Sequence, residues 1–552
     1  MNGAGGMRRW RWSGALAVAV VAAIGSGAAP AGAARAGGCT AAVAGGRVSG
    51  HAVRGVCAFA GIPYAAPPVG ALRFRPPAPA PGWRGLLHAT KARAVCPQDR
   101  DPLEEYPTGA KRFSDENCLF LNVWTPRADA KRRPVMVFIP GGAFVVGSAS
   151  EPIYDGSHLA ARGDAVVVSL NYRLGMLGWL ELGGLDPAYR GSGNDGLRDQ
   201  IAALRWVQRN IRALGGDPRN VTLFGESAGA ISVSALLATR RPERLFRRAI
   251  LESGSGYLVH TAAYQRLVAQ RHLAAGSIHS MAQLRRMSTA RLLDVQAKVT
   301  NAAPLFSGDT YFAPYVDGGL LPGAVVPRIA AGSARHIRVL SGTNENETGY
   351  WALYDPGLLD VPPAGNPFFP KALSAQRDAM TAAYRAARPG ATDGAVTHAM
   401  LTDQLFRVPQ IRLAEAQARW QPSWMYLFRW HVPFAPGAPA AQNLGAIHGI
   451  ELGFVFGNLD LSTVPRSATH DPAQLAERRL LSDRVMDAWL SFARTGDPNA
   501  TRGAGVPAWQ AYAAPSRSTL AWDATPAILG APADDERALW DGESFATWDF
   551  TP

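Results

Sequence analysis

The sequence predicts an α/β fold, with a central, mostly parallel sheet flanked by helices and carrying large insertions. Three observations predict it. Short apolar runs recur along the chain and alternate with helical patterns. One such run leads into Gly225-Glu226-Ser227-Ala228-Gly229, and a helical stretch of small and aliphatic residues follows. Gly142, Ser227 and Glu347 fall just after apolar runs, at the carboxyl ends of strands, where open parallel sheets place their sites.

The first 36 residues stand apart. Arg8, Arg9 and Arg11 precede an apolar run from Ala15 to Ile24, and small residues including Ala31-Gly32-Ala33 follow. That order is the order of a secretory signal peptide, which leaves residues 37–552 as one mature domain. The run is too short to span a bilayer. Arg8-Arg9 hints at a twin-arginine signal, and Ala36-Gly37-Gly38 before Cys39 lacks the large aliphatic residue of a lipoprotein signal. No later segment reads as membrane-spanning, so a soluble protein, secreted or periplasmic and without stable membrane insertion, is expected.

Export permits disulfides. Cys39 and Cys57 flank one short segment, Cys96 and Cys118 another, and neighbour pairing is the simplest of three connectivities. No clustered Cys/His spacing suggests a metal, and nothing calls for a cofactor. The net charge is +13. Its basic residues are nearly all arginine, scattered without a basic helix or an aromatic-interleaved patch. A solvated basic surface is expected, and no nucleic-acid site.

A hydrophobic content of 47% can fill a large core. Strands are expected at residues 135–139, 165–170, 221–224, 249–252, 339–341 and 425–428. Between two of them lies a helix over 197–214, with Ile201, Leu204, Val207, Ile211 and Leu214 on one face. Gly215-Gly216 ends it, and Asp217-Pro218 leads into the next strand. The Pro- and Ala-rich stretch 76–81 is expected to be a loop.

Strand, Gly-x-Ser-x-Gly, helix over 228–238 is the context of a nucleophile elbow, the sharp turn of α/β-hydrolases that presents a serine oxygen. The glycines are required because a side chain at either position would clash in so tight a bend. A serine hydroxyl also needs a base, a group to orient that base, and donors for an oxyanion. Pro140-Gly141-Gly142-Ala143-Phe144, after the strand at 135–139, is a Gly-rich loop whose N–H groups can approach a substrate closely. His448, on a glycine-flanked stretch late in the chain, is the candidate base. Glu345 and Glu347 both follow the strand near 339, and spacing does not choose between them as the acid.

With these motifs in place, the chain resembles the type-B carboxylesterases, the family of para-nitrobenzyl esterases, mammalian carboxylesterases and cholinesterases. "FAGIPYAAPPVGALRFRPP", "DENCLFLNVWTP", "NYRLGMLGWL", "VTLFGESAGA" and "AWLSFARTGDPN" occur in family order. The resemblance implies a carboxylic ester hydrolase of the α/β-hydrolase fold acting through an acyl-enzyme. It implies Ser227 as nucleophile, Glu347 as acid, His448 as base, and the N–H groups of Gly142, Ala143 and Ala228 as oxyanion donors. It further implies a Cys96–Cys118 disulfide and a supporting serine near the acid, Ser253; Cys39–Cys57 has no firm counterpart. Pro140 and Ala143 depart from residues common in the family, yet leave the proposed donors in place. The stretch 97–117 has no Trp and offers Tyr106 and Phe113 as its aromatics, which disfavours a quaternary-ammonium substrate. Lipase, lactonase or amidase chemistry shares the same triad. A binding or adhesion protein on this fold is the alternative of another class. Leu305, Phe306 and Trp351 are candidate pocket walls.

Overall fold

A computed structural model describes residues 38–98, 113–300, 312–353, 356–366, 369–431, 444–459 and 472–547. The expected signal segment, Tyr106, Leu305 and Phe306 lie outside them. The described elements belong to one compact unit, Gly38–Pro552.

Eleven strands make one sheet. In spatial order they are β14 (Ala527–Leu529), β13 (Thr519–Trp522), β12 (Ser423–Phe428), β11 (Arg338–Asn344), β10 (Arg248–Glu252), β9 (Gly216–Glu226), β7 (Arg133–Ile139), β8 (Val166–Leu170), β6 (Phe120–Thr125), β4 (Val56–Pro63) and β3 (His51–Val53). The seven strands from β13 to β8 pair in parallel, and antiparallel pairs close both margins. A separate small sheet holds β1 (Thr40–Val43), β2 (Gly46–Ser49) and β5 (Leu86–His88).

Continuous apolar runs make the central strands because both faces are covered. In β7, Val135, Val137 and Ile139 enter one core while Met136 and Phe138 enter the other. The first core is roofed by the helices Asp195–Asn210, Ala228–Leu237 and Val408–Ala418, the second by the long helix Pro472–Thr495. Phe138 sits at the centre of the second core, its ring 4.7 Å from Tyr154, 4.9 Å from Phe224 and 5.0 Å from Phe456.

All six expected strands are present; five are longer than expected, by one to seven residues, and β8 starts one residue later. β9 grows most, because its first half, Gly-Asp-Pro-Arg-Asn, is polar and partly exposed. The expected helical face holds: Ile201, Leu204, Val207, Ile211 and Leu214 are all buried. A tighter turn, Ile211–Leu214, finishes that helix, and Gly215 closes it at φ 86°. Disulfides join Cys39 to Cys57 and Cys96 to Cys118. The first ties the chain just before β1 to β4.

The chain runs β7 to β8 on one side, then returns to place β9 on the other side of β7. Strand order reverses at β7, and a crevice opens at the carboxyl ends there.

Candidate active site

The crevice is framed by the ends of β7, β9, β10 and β11. β9 ends at Glu226, and the helix Ala228–Leu237 starts one residue after Ser227. Ser227 itself takes φ 54°, ψ −124°, a conformation an L-residue adopts at a cost of about 1–3 kcal/mol. It is held there from two sides. Its N–H donates to the Glu252 carbonyl on β10 at 2.9 Å, and its own carbonyl accepts from the Ile231 N–H at 2.9 Å. The two glycines are sterically required. A Cβ on Gly229 would collide with the Ile139 carbonyl, and one on Gly225 would lie 2.7 Å from the Gly229 carbonyl carbon.

The loop after β7 packs directly on this elbow. A Cβ on Gly141 would lie 2.7 Å from Glu226 Oε2 and 3.1 Å from Ser227 Cβ. Gly142, Ala143 and Phe144 follow with φ of 104°, 50° and 63°. This left-handed run is pinned by the Gly142 carbonyl, which accepts from Val145 and Val146 N–H at 3.0 Å each, and by the Phe144 carbonyl, which accepts from Gly175 N–H at 2.7 Å. Among the described residues nothing accepts a hydrogen bond from the N–H groups of Gly142, Ala143 or Ala228. Backbone donors left without a protein partner beside a serine are suited to a developing oxyanion.

Glu347 follows β11 and is fully buried. Its Oε1 accepts from Asn344 N–H at 2.7 Å, and its Oε2 lies 2.7 Å from His448 Nδ1. The His448 N–H also donates to the Glu347 carbonyl at 3.2 Å. Glu345, left open by spacing, turns elsewhere and pairs with Arg429 at 2.8 Å and His431 at 3.3 Å. His448 Nε2 lies 3.2 Å from Glu226 Oε1, and no hydrogen bond joins it to Ser227 Oγ. Ser253 does not reach Glu347. Its hydroxyl donates to Glu451 Oε1 at 3.5 Å, so its support passes through a second glutamate.

Glu226 and Glu451 escaped the sequence analysis, as did Glu252, Tyr350 and Phe406. The signal for Glu226 was its place inside the pentapeptide. For Glu451 it was an acid three residues after His448 in an otherwise apolar stretch. Asn344 Nδ2 donates to Glu451 Oε2 at 2.6 Å. Glu226, Glu347 and Glu451 thus act on one imidazole, and a fourth buried carboxyl group, Glu252, whose Oε1 accepts from Trp489 Nε1 at 2.6 Å, acts in turn on Glu226 and Glu451. They cannot all be charged. Burial pushes Glu226 up to about 8 and Glu451 up to about 7, and drives Glu252 far above the carboxylate range. Burial alone would lower His448, but the charges of Glu226 and Glu347 outweigh it and raise the imidazole to about 9.

Aromatic rings wall the imidazole. Trp351 stacks on it at 5.2 Å between centroids, Phe406 leans in at 5.0 Å, and Tyr350 stands edge-on at 5.8 Å. Trp351 was expected at the pocket wall; Phe406 was not. Phe406 lies in a π-turn, Asp403–Arg407, just ahead of Pro409, which has no N–H to offer the helix. Among the described residues no cluster of side chains could hold a metal ion.

The profile described as "Carboxylesterase family" matches residues 39–533. Para-nitrobenzyl esterase of Bacillus subtilis is 38% identical over 505 residues, covering 89% of this chain and 96% of the other. Liver carboxylesterase 1 of Oryctolagus cuniculus is 35% identical, covering 83% and 84%. Among solved structures, the Geobacillus stearothermophilus carboxylesterase EST55 superposes with a TM-score of 0.79 at 34% identity, covering 91% of this chain and 100% of the other.

Proposed function

This chain belongs to the carboxylesterase family and is a carboxylic ester hydrolase, and on that premise we propose that it works through an acyl-enzyme formed on Ser227. The observation that carries the proposal is the junction itself: a serine held at φ 54° beside three backbone N–H groups that have no partner among the described residues. The buried Glu347–His448 pair at 2.7 Å supplies the base and its orienting group.

His448 takes the Ser227 proton as Oγ attacks the ester carbonyl. The N–H groups of Gly142, Ala143 and Ala228 receive the oxyanion. His448 then protonates the leaving alcohol, and a water molecule repeats the sequence to release the acid. Glu347 fixes the tautomer that leaves Nε2 free to accept, and stabilises the imidazolium. In the structure Nε2 faces Glu226; catalytic contacts are often loose before substrate binds.

Residues 1–36 act as an export signal and residues 37–552 as the single catalytic domain, in an extracellular or periplasmic setting. Two disulfides support the oxidising compartment. The substrate is a neutral ester whose acyl or alcohol part meets Trp351 and Phe406. Quaternary-ammonium esters are disfavoured.

The test is hydrolysis of p-nitrophenyl esters from acetate to palmitate by the wild type and Ser227→Ala. Serine-dependent turnover highest on short chains supports a carboxylesterase. Rates rising toward palmitate would move the assignment to lipase. Undiminished turnover by Ser227→Ala would remove Ser227 from the mechanism.

A further inference from the structure

Arginines scattered in the sequence are gathered in space at the end of the sheet opposite the crevice. Three segments meet there: residues 237–248 leading into β10, 328–338 leading into β11, and 417–421 before β12. Backbone and side-chain bonds stitch them together. Ser333 Oγ donates to the Leu237 carbonyl at 3.0 Å, and Gln417 Nε2 donates to the Ala334 and Ile337 carbonyls at 3.0 and 2.6 Å. Gln421 Nε2 donates to the Arg335 carbonyl at 3.1 Å. In the β10–β11 register, Arg248 lies opposite Arg338.

These segments carry nine arginines and His336 against one acid, Glu243. Arg240, Arg241, Arg244, Arg247, Arg335 and Arg419 are exposed. None of the nine has an ion-pair partner among the described residues. The solvated surface expected from composition is therefore a concentrated patch. One large apolar side chain stands within it. Trp420 is 42% exposed, its Nε1 satisfied by the Ala330 carbonyl at 3.2 Å and its ring laid over Gly332.

From this juxtaposition we infer that the amino-terminal edge of β10–β12 is a docking face for an anionic lipid bilayer. Unpaired arginines supply the attraction to acidic headgroups. A lone indole with a satisfied N–H and an exposed ring edge suits the headgroup level, where Trp is enriched. A nucleic acid fits less well, because no series of exposed aromatics interleaves the arginines for base stacking. The attachment is peripheral. Among the described residues no helix is long and apolar enough to cross a membrane. Strands of five to seven residues separate this edge from Ser227 by roughly 20 Å, so a docked molecule keeps its crevice turned away from the surface.

The experiment is cosedimentation of the full chain with vesicles of mixed phosphatidylglycerol and phosphatidylcholine, and with phosphatidylcholine alone, at low salt and at about 0.5 M salt, where surface attraction is screened within a few ångströms. Binding is expected only to the anionic vesicles and is lost at high salt. Each arginine removed from Arg240, Arg244, Arg335 and Arg419 by substitution to Ser lowers the partition about fivefold. Trp420→Ala lowers it further. All variants keep wild-type turnover of p-nitrophenyl acetate, which shows that they fold. Equal binding to neutral vesicles, binding that survives the fourfold variant, or no binding at all would overturn the inference. So would tighter binding to duplex DNA than to the vesicles, unaffected by Trp420→Ala.

Discussion

The two ends of the same parallel strands carry opposite electrostatics under opposite solvent conditions. At the carboxyl ends, Glu226, Glu347 and Glu451 are buried beside His448, and Glu252 is buried within reach of two of them. At the amino ends, Arg240, Arg244, Arg247, Arg335 and Arg419 are exposed and have no ion-pair partner among the described residues. Buried groups compete for protons, and the titration of Glu226, Glu252, Glu451 and His448 is displaced upward. Exposed charges are screened by water and salt. The lesson is that the fold separates two jobs for charge, tuning a proton transfer inside and generating a field outside, by the length of one strand.

The largest way to break the comparison is to remove the nucleophile. Ser227→Ala is expected to lower kcat on p-nitrophenyl acetate by roughly 10⁴–10⁶-fold with the fold intact by circular dichroism. Substituting the exposed arginines should leave the same kcat unchanged. If both ends changed kcat alike, they would not be separable.

The next test sharpens the buried end. His448 must be neutral to accept the serine proton, and its carboxylate neighbours raise it to about 9. The rate kcat/KM should therefore climb from neutral pH toward about pH 9 and fall as His448 becomes protonated below that. Glu226→Gln removes one negative neighbour, so the inflection should move to lower pH. An inflection that stays in place would detach Glu226 from the imidazole.

Smaller effects are expected on stability. Phe138→Ala, in the core between the two ends, should cost about 3–5 kcal/mol in urea unfolding. Gly229→Ala should also destabilise, because its methyl group meets the Ile139 carbonyl. Arg240→Ser or Arg419→Ser should stay within about 0.5 kcal/mol by the same measurement.

Much of this layout was legible before any coordinates. The central strands are continuous apolar runs because they are buried on both faces, and the elbow reveals itself because only glycine fits at 225 and 229. The marginal strands were not legible for the converse reason. β14 has three residues, and β4 contains Cys57, Gly61 and Pro63, so neither shows a clean period. Glu226 and Glu451 look in sequence like any lone acid, since only tertiary packing brings them beside His448. The arginine face was hidden for a topological reason. Parallel strands start at one edge, so residues from positions 240 to 419 become neighbours there.

Ser227 and the oxyanion donors are borne by strand ends, whereas Trp351 and Phe406 come from the long excursion between β11 and β12, which opens with Glu347. Backbone bonds to strands and helix fix the first set; the second shares a short helix with Glu347 at Trp351 and then continues on separate helices to Phe406. For anyone seeking to redirect this enzyme to a bulkier or slimmer ester, the excursion is the part to graft or randomise. Glu347, at its start, must stay in place, and the rest of the machinery can be inherited whole.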